Sequence, residues 1–317
     1  MSGQRDVALE ALRRYDVAPQ KVTLAAESFN SIFRVTTASA VYALRVGSAL
    51  QIHPESTSAV EAAWHRRLRK RGVCVPGVLA NLDGELATLV TAGGAAHGSR
   101  TCVLFDWVAG RSLRACMTGR RSAALGRLSA RLHQDAVAWS PSGAGDVLLA
   151  DRVLYWRLPE QLSVAGSRFG FGTLFLDALA RAQSVVESLW RSPPHPPHLV
   201  HGDLTPANVI VAPRSGLVPI DFQDTVRGFE VQDLSITVAA LRRWPDSGRL
   251  VEAFRSGYGE CRPWPDVSPA LFESLIAARA LHQLNLTLNT TDIVGLESYV
   301  ASHAERARAW MRCPAGL

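Results

Sequence analysis

Apolar positions fall in short extended runs over the first hundred residues and recur every three or four residues beyond Gly110, so a β-rich segment gives way to a helical one. Leu9 and Leu12 predict a first helix over 6–15, stopped ahead of Pro19. The β-branched and aromatic runs at 31–37 and 41–46 predict a hairpin. Val60, Ala63, Trp64 and Leu68 share one face of a helix over 58–72, which Gly72 ends. Strands are expected at 77–81, 87–91 and 101–105, with Asp83-Gly84 as the tight turn between the first two. From Ala124, Leu125, Leu128 and Leu132 onward helices dominate, except near 199–222. This is an α+β pattern with two lobes, 1–105 and 112–317, divided at 106–111. The proline-rich segment 192–198 cannot lie inside a helix, because prolines remove donors and fix φ; it is a connector.

The connector leads into Leu-Val-His-Gly-Asp-Leu-Thr-Pro-Ala-Asn-Val-Ile-Val, followed by a turn at 213–216 and Leu-Val-Pro-Ile-Asp-Phe-Gln-Asp. A polar loop, 201–208, therefore precedes two short apolar strands. Hairpin closure brings Asp221, at the end of the second strand, beside Asn208, at the start of the first. Asp203, Asn208 and Asp221 then offer oxygen atoms of the kind a hard, octahedral magnesium ion and a phosphoryl-transfer reaction require.

Composition removes other classes. With 47% hydrophobic and 20% charged residues, the chain has too much apolar content for a disordered protein. No apolar run approaches the roughly 18 residues of a membrane span, and the charged first residues lack the apolar region of a secretory signal, so a cytoplasmic location is expected and a membrane partner is not. The five cysteines are odd in number and scattered, which argues against a disulfide framework and a C-x-x-C zinc site. The net charge of +6 is spread along the chain apart from one basic run, 65–71, which reads as a solvated helix end; no nucleic-acid partner is expected.

The stretch HGDLTPANVIV…PIDFQD resembles the catalytic core of the aminoglycoside phosphotransferase and choline kinase-like family, relatives of the protein kinases. The five-residue interval from Asp203 to Asn208 equals that of the kinase catalytic loop, with Gly202 where protein kinases carry Arg. The resemblance implies a bilobal, protein-kinase-like fold and ATP- and magnesium-dependent transfer of the γ-phosphoryl group to a hydroxyl of a small molecule. It makes Asp203 the base or orienter and Asn208 and Asp221 the metal ligands. Arg45 becomes the nucleotide-phosphate cation, Glu61 its carboxylate partner, and the backbone of Asp106, Trp107 and Val108 the adenine contact. Arg45 departs from the family's lysine, and 26–31, where a phosphate-covering loop is expected, has no glycine. Asp233 reads either as a brace for the catalytic loop or as a helix N-cap, and Asp224 as a carboxylate behind the ligands or a substrate contact. His201 is expected to hold the loop backbone.

For the acceptor, the acids of the C-terminal third (Glu230, Glu252, Glu260, Asp266, Glu273) are interleaved with arginines rather than clustered, which favours a small amino alcohol or hydroxy amino acid over an aminoglycoside-type antibiotic. The segment from His53 into Val-Cys-Val-Pro-Gly-Val resembles the branch with homoserine kinase-like enzymes and bacterial stress-response kinases. The alternatives are a Ser/Thr protein kinase of the stress-response type, against which the missing A-P-E segment counts, and a nucleotide-binding pseudoenzyme.

Overall fold

A computed structural model describes residues 2–91, 99–139, 147–290 and 294–313. They divide into two compact units: 2–117 with 207–223, and 118–139 with 148–206 and 224–313.

The first unit opens with helix α1 (Ser2–Leu12) and carries a six-stranded sheet of β1 (Lys21–Glu27), β2 (Ser31–Thr36), β3 (Val41–Val46), β4 (Val78–Leu79), β5 (Thr88–Val90) and β6 (Arg100–Asp106). The order is β1-β2-β3-β6-β4, with β5 also on β6 and every pairing antiparallel. The Asp83-Gly84 turn joins β4 to β5, yet these strands pair with β6 rather than with each other. Alternating burial along β2 sends Phe33 and Val35 into a core shared with Leu44, Val46 and Leu104 and covered by Val7, Ala8, Ala11 and Leu12 of α1. Each such large side chain contributes about 1.5–3 kcal/mol. Helix α2 (Thr57–Lys70) buries Val60, Glu61, Trp64, His65 and Leu68. The basic run at its end is thus only partly solvated, because His65 is buried with Nδ1 2.9 Å from the Pro76 carbonyl oxygen.

Strand β7 (Arg111–Ser112) also belongs to this unit, so the expected divide at 106–111 falls within it. The reason is pairing: β7 adds to the hairpin of β9 (Val209–Ala212) and β10 (Gly216–Pro219).

The second unit holds α3 (Gly119–Val137), α4 (Leu162–Arg168), α5 (Leu174–Arg191), α6 (Glu230–Leu241), α7 (Ser247–Gly259), α8 (Pro269–Asn289) and α9 (Leu296–Arg312), with a small sheet of β8 (His198–Val200) and β11 (Val226–Gly228). Phe175, Ala178, Ala182 and Val186 of α5 meet Leu275, Ala278, Leu281 and Leu284 of α8 and Val300 and Ala304 of α9 in its main core. Ser268 caps α8, accepting from the Leu271 N–H, with Pro269 in the first turn. Among the described residues no helix is long and apolar enough to cross a membrane.

The stretch between β8 and β11 positions the chemistry. It starts in the second unit, passes into the first after Pro206, forms the β9–β10 hairpin there and returns at Asp224. The antiparallel Val200↔Val226 pair closes its two ends.

Candidate active site

In the first unit, Arg45 projects from β3 and Glu61 from α2, and they meet in a two-pronged ion pair with Nη1–Oε1 at 2.7 Å and Nη2–Oε2 at 2.5 Å. Both are buried, Glu61 to 1% exposure and Arg45 to 5%. A planar guanidinium matches a carboxylate in this double geometry, which an ammonium cannot do. The same guanidinium lies 3.8 Å from Asp221 Oδ1. The hairpin closes as expected: Pro219 faces Val209, and the Ile220 N–H donates to the Asn208 carbonyl at 2.9 Å, so Asn208 and Asp221 stand at the same end.

Asp221 is the one non-glycine among the described residues with positive φ, 63°. Left-handed backbone costs an aspartate of order 1–3 kcal/mol and persists only where its surroundings impose it. Here Phe222 does so, fully buried against Trp64 and His65 of α2 with ring centroids at 5.3 and 4.5 Å. An exposed carboxylate is thereby held on a strained but anchored turn, beside a half-buried amide. Two hard oxygen donors of this kind fit magnesium, which takes few ligands from protein. The glycine-free loop is also tied down, through Asn30 Nδ2 donating to Gln223 Oε1 at 2.6 Å.

Of the backbone expected to hold adenine, the Asp106 N–H donates to the Gly77 carbonyl and the Trp107 N–H to that of Val41, at 2.8 and 3.1 Å. Those donors are engaged in the sheet edge. The Val108 N–H has no partner among the described residues and is the free donor of the trio. The Asp106 carboxylate accepts from the Gly77 N–H and faces Arg69.

In the second unit, the loop after β8 is over-determined. His201 is fully buried, and its Nδ1 accepts from the Asp203 N–H at 3.3 Å. Gly202 has φ 78°, and a Cβ there would overlap the Asp224 carbonyl oxygen, so only glycine fits. Asp233, on the first turn of α6, accepts from the Gly202 N–H at 2.8 Å through one oxygen and from His133 Nε2 at 3.0 Å through the other. His133 Nδ1 in turn lies 3.1 Å from the Tyr258 hydroxyl. Asp233 is therefore a brace, and Phe229 occupies the N-cap position, its N–H bound by the Gln232 side chain. Burial pushes the Asp233 carboxyl up, but the His133 hydrogen bond and charge, His201 and the Gly202 amide together hold it below the usual carboxylate range.

Asp203 has a partner that sequence reasoning missed. Arg279 of α8, 9% exposed, donates from Nη2 to Asp203 Oδ1 at 2.9 Å and lies 3.9 Å from Asp224 Oδ2. Its Nη1 reaches the Tyr155 hydroxyl at 3.3 Å, and its plane sits over Trp156 at 5.3 Å. Burial alone would depress this guanidinium; Tyr155, Asp203 and Asp224 more than reverse that and strengthen its hold on the proton. Burial also pushes the Tyr155 hydroxyl up to about 12, keeping it neutral. Trp156, itself buried to 5% exposure, is the platform for this cation. The missed signal was a single arginine inside the apolar run Ser-Leu-Ile-Ala-Ala-Arg-Ala-Leu, since an arginine on a buried helix face requires a carboxylate partner.

Compared with known proteins, residues 22–270 match the profile of the family described as "Phosphotransferase enzyme family", more than half of the chain. The chain belongs to that family. It is a phosphotransferase with the α+β, kinase-like fold. A microcompartment-associated aminopropanol kinase superposes with a TM-score of 0.75 at 25% identity, over 96% of this chain and 95% of its own. An amicoumacin kinase in complex with AMP-PNP, Ca2+ and amicoumacin gives 0.76 at 20% identity, over 96% and 92%. A spectinomycin phosphotransferase bound to ADP and spectinomycin gives 0.66 at 12% identity, over 98% of each chain, and shows the fold alone. An uncharacterized protein of Deinococcus radiodurans is 28% identical over 243 residues, 75% of this chain and 68% of the relative.

Proposed function

We propose that this phosphotransferase moves the γ-phosphoryl group of ATP, with magnesium, to the hydroxyl of a small amino alcohol or hydroxy amino acid in the cytoplasm. The observation that carries the reading is the Arg45–Glu61 pair together with the strained Asp221, which matches a device for holding nucleotide phosphates and their metal. Magnesium, when bound, neutralises charge developing on the phosphate oxygens. Asn208 and Asp221 are its ligands, Arg45 contacts the phosphates, and Val108 offers its N–H to the base, with Asp106 and Trp107 shaping that edge. Asp203 orients the acceptor hydroxyl and takes its proton as the new O–P bond forms and the bond to the ADP oxygen breaks. Positioning of this sort, not covalent chemistry, supplies most of the rate.

Two features support a small acceptor. Arg279 neutralises charge on Asp203 and Asp224, so these carboxylates are poorly disposed to collect several ammonium groups. Acids of the C-terminal third are likewise engaged by arginines: Glu230 with Arg262, Glu260 with Arg127, Glu273 with Arg242. The likeness to an aminopropanol kinase points the same way.

The test is magnesium-dependent ADP release by the purified protein across amino alcohols, hydroxy amino acids, aminoglycosides, sugars and generic protein substrates. Release with a small hydroxy amine, absent in Asp203→Asn while that variant still binds ATP, is the expected result. Release with protein substrates alone would replace the reading by a protein kinase. ATP binding without turnover of any acceptor would favour the pseudoenzyme.

A further inference from the structure

A cluster in the second unit lies outside this machinery. His195 is in the proline-rich connector, His198 opens β8 and Glu230 opens α6. Glu230 Oε2 is 2.7 Å from His195 Nε2 and 3.8 Å from His198 Nε2, and one ligand atom from each residue lies within 4.8 Å of the other two. We propose that His195, His198 and Glu230 form a binding site for a borderline divalent transition metal, zinc(II) foremost, separate from the magnesium ligands.

The independent observation is an unsatisfied imidazole. His198 is 5% exposed, and neither of its ring nitrogens has a hydrogen-bond partner among the described residues. Glu230 Oε2, turned toward it, has none either, since its approach to His195 lacks hydrogen-bond geometry. Buried polar atoms without partners cost about 1–3 kcal/mol each, and His198 Nε2 and Glu230 Oε2, which converge beside His195, describe a place for a cation. The donor chemistry is specific: two imidazole nitrogens and one carboxylate oxygen suit zinc better than magnesium or calcium, which prefer all-oxygen shells.

The rest of the setting agrees. Four-coordinate zinc, with bonds of about 2.0–2.1 Å, separates its ligand atoms by roughly 3.3 Å, a value that the 2.7 and 3.8 Å separations from Glu230 Oε2 bracket. Arg262 donates to Glu230 Oε1 at 3.0 Å, leaving Oε2 for the metal and fixing the carboxylate plane, the usual service of an outer hydrogen bond. A metal here clasps the connector to the start of α6, the helix whose Asp233 holds Gly202.

The test is isothermal titration of chelator-treated, full-length protein with zinc chloride, alongside the visible absorption of the cobalt(II) form. Expected are one equivalent bound, a cobalt band of tetrahedral intensity, the same affinity in Asp221→Asn, and at least tenfold weaker binding in His195→Ala. His195 is the least buried of the three, so that variant keeps the fold, which far-UV circular dichroism checks. No binding by folded wild type at sub-millimolar zinc overturns the proposal, as does unchanged affinity in His195→Ala or loss in Asp221→Asn.

Discussion

Replacing Arg279 with Met keeps an unbranched apolar stem while removing the guanidinium from Asp203, Asp224, the Tyr155 hydroxyl and the face of Trp156. Removing one partner of a buried ion pair costs about 3–5 kcal/mol, mainly because the other charge stays behind in low dielectric. Asp203 is 27% exposed at its side chain, and water compensates part of the loss, so the lower end, about 3 kcal/mol, is the figure to test. Two readouts follow. The urea midpoint falls by that amount divided by the m-value. The acid limb of the pH profile of kcat moves to higher pH, because a carboxylate that loses its cation holds its proton more tightly. Turnover at neutral pH drops on the order of a hundredfold as the Asp203 carboxylate loses its fixed direction. Arg279→Lys retains charge without the fork and falls between the two in stability, with the acid limb near that of wild type. An R279M protein with wild-type stability and an unmoved acid limb would refute the coupling of Arg279 to Asp203.

Three further outcomes are expected. Arg45→Lys replaces two parallel bonds to Glu61 by one, so the KM for nucleotide rises about tenfold and stability falls by 1–2 kcal/mol, roughly the worth of one charge-assisted bond; unchanged values for both would remove the pair from the nucleotide site. Gly202→Ala meets both the left-handed backbone and the Asp224 carbonyl, and thermal unfolding should show a loss of more than about 2 kcal/mol, against little change for Gly248→Ala, where a Cβ has open space. Burial, chiefly, lowers His303 to about 4; the Tyr299 carbonyl opposes this, while Arg306 and Arg243 add to it. The unfolded chain therefore binds the extra proton first, and this contribution, complete above about pH 6.5, is lost as pH falls toward 4. By pH 5 the loss approaches about 2 kcal/mol, and urea titrations should show it shrinking in His303→Phe.

The stretch 199–224 was the most legible part of the chain, because hairpin patterning and the spacing of Asp203, Asn208 and Asp221 carry one message. The β9–β10 register and the β2–β3 hairpin followed from runs of β-branched residues between turn signals. Strand β1 was not foreseen: Val22 is its one buried side chain, so Lys21–Glu27 shows no alternation to read. Strands β4 and β5 were legible as elements but not as neighbours of β6, since pairing partners are chosen by tertiary contact. Arg279 escaped because periodicity marks a helix face as apolar without saying which polar residue that face admits. Likewise the connector was read through its prolines, and the spacing of His195 and His198 passed unnoticed until folding brought Glu230 to them.

The excursion of 207–223 away from the unit in which its flanking strands lie has a practical reading for anyone recombining relatives of this enzyme. A chimera that exchanges 2–117 as a block would transplant Arg45 and Glu61 with their sheet but leave Asp221 and its anchor Phe222 to the recipient. Trp64 and His65 would then face a foreign Phe222, and β7 a foreign β9. Crossovers that preserve function should come in pairs, one pair bounding the first segment and another enclosing β9 and β10, so the heritable module is a discontinuous one.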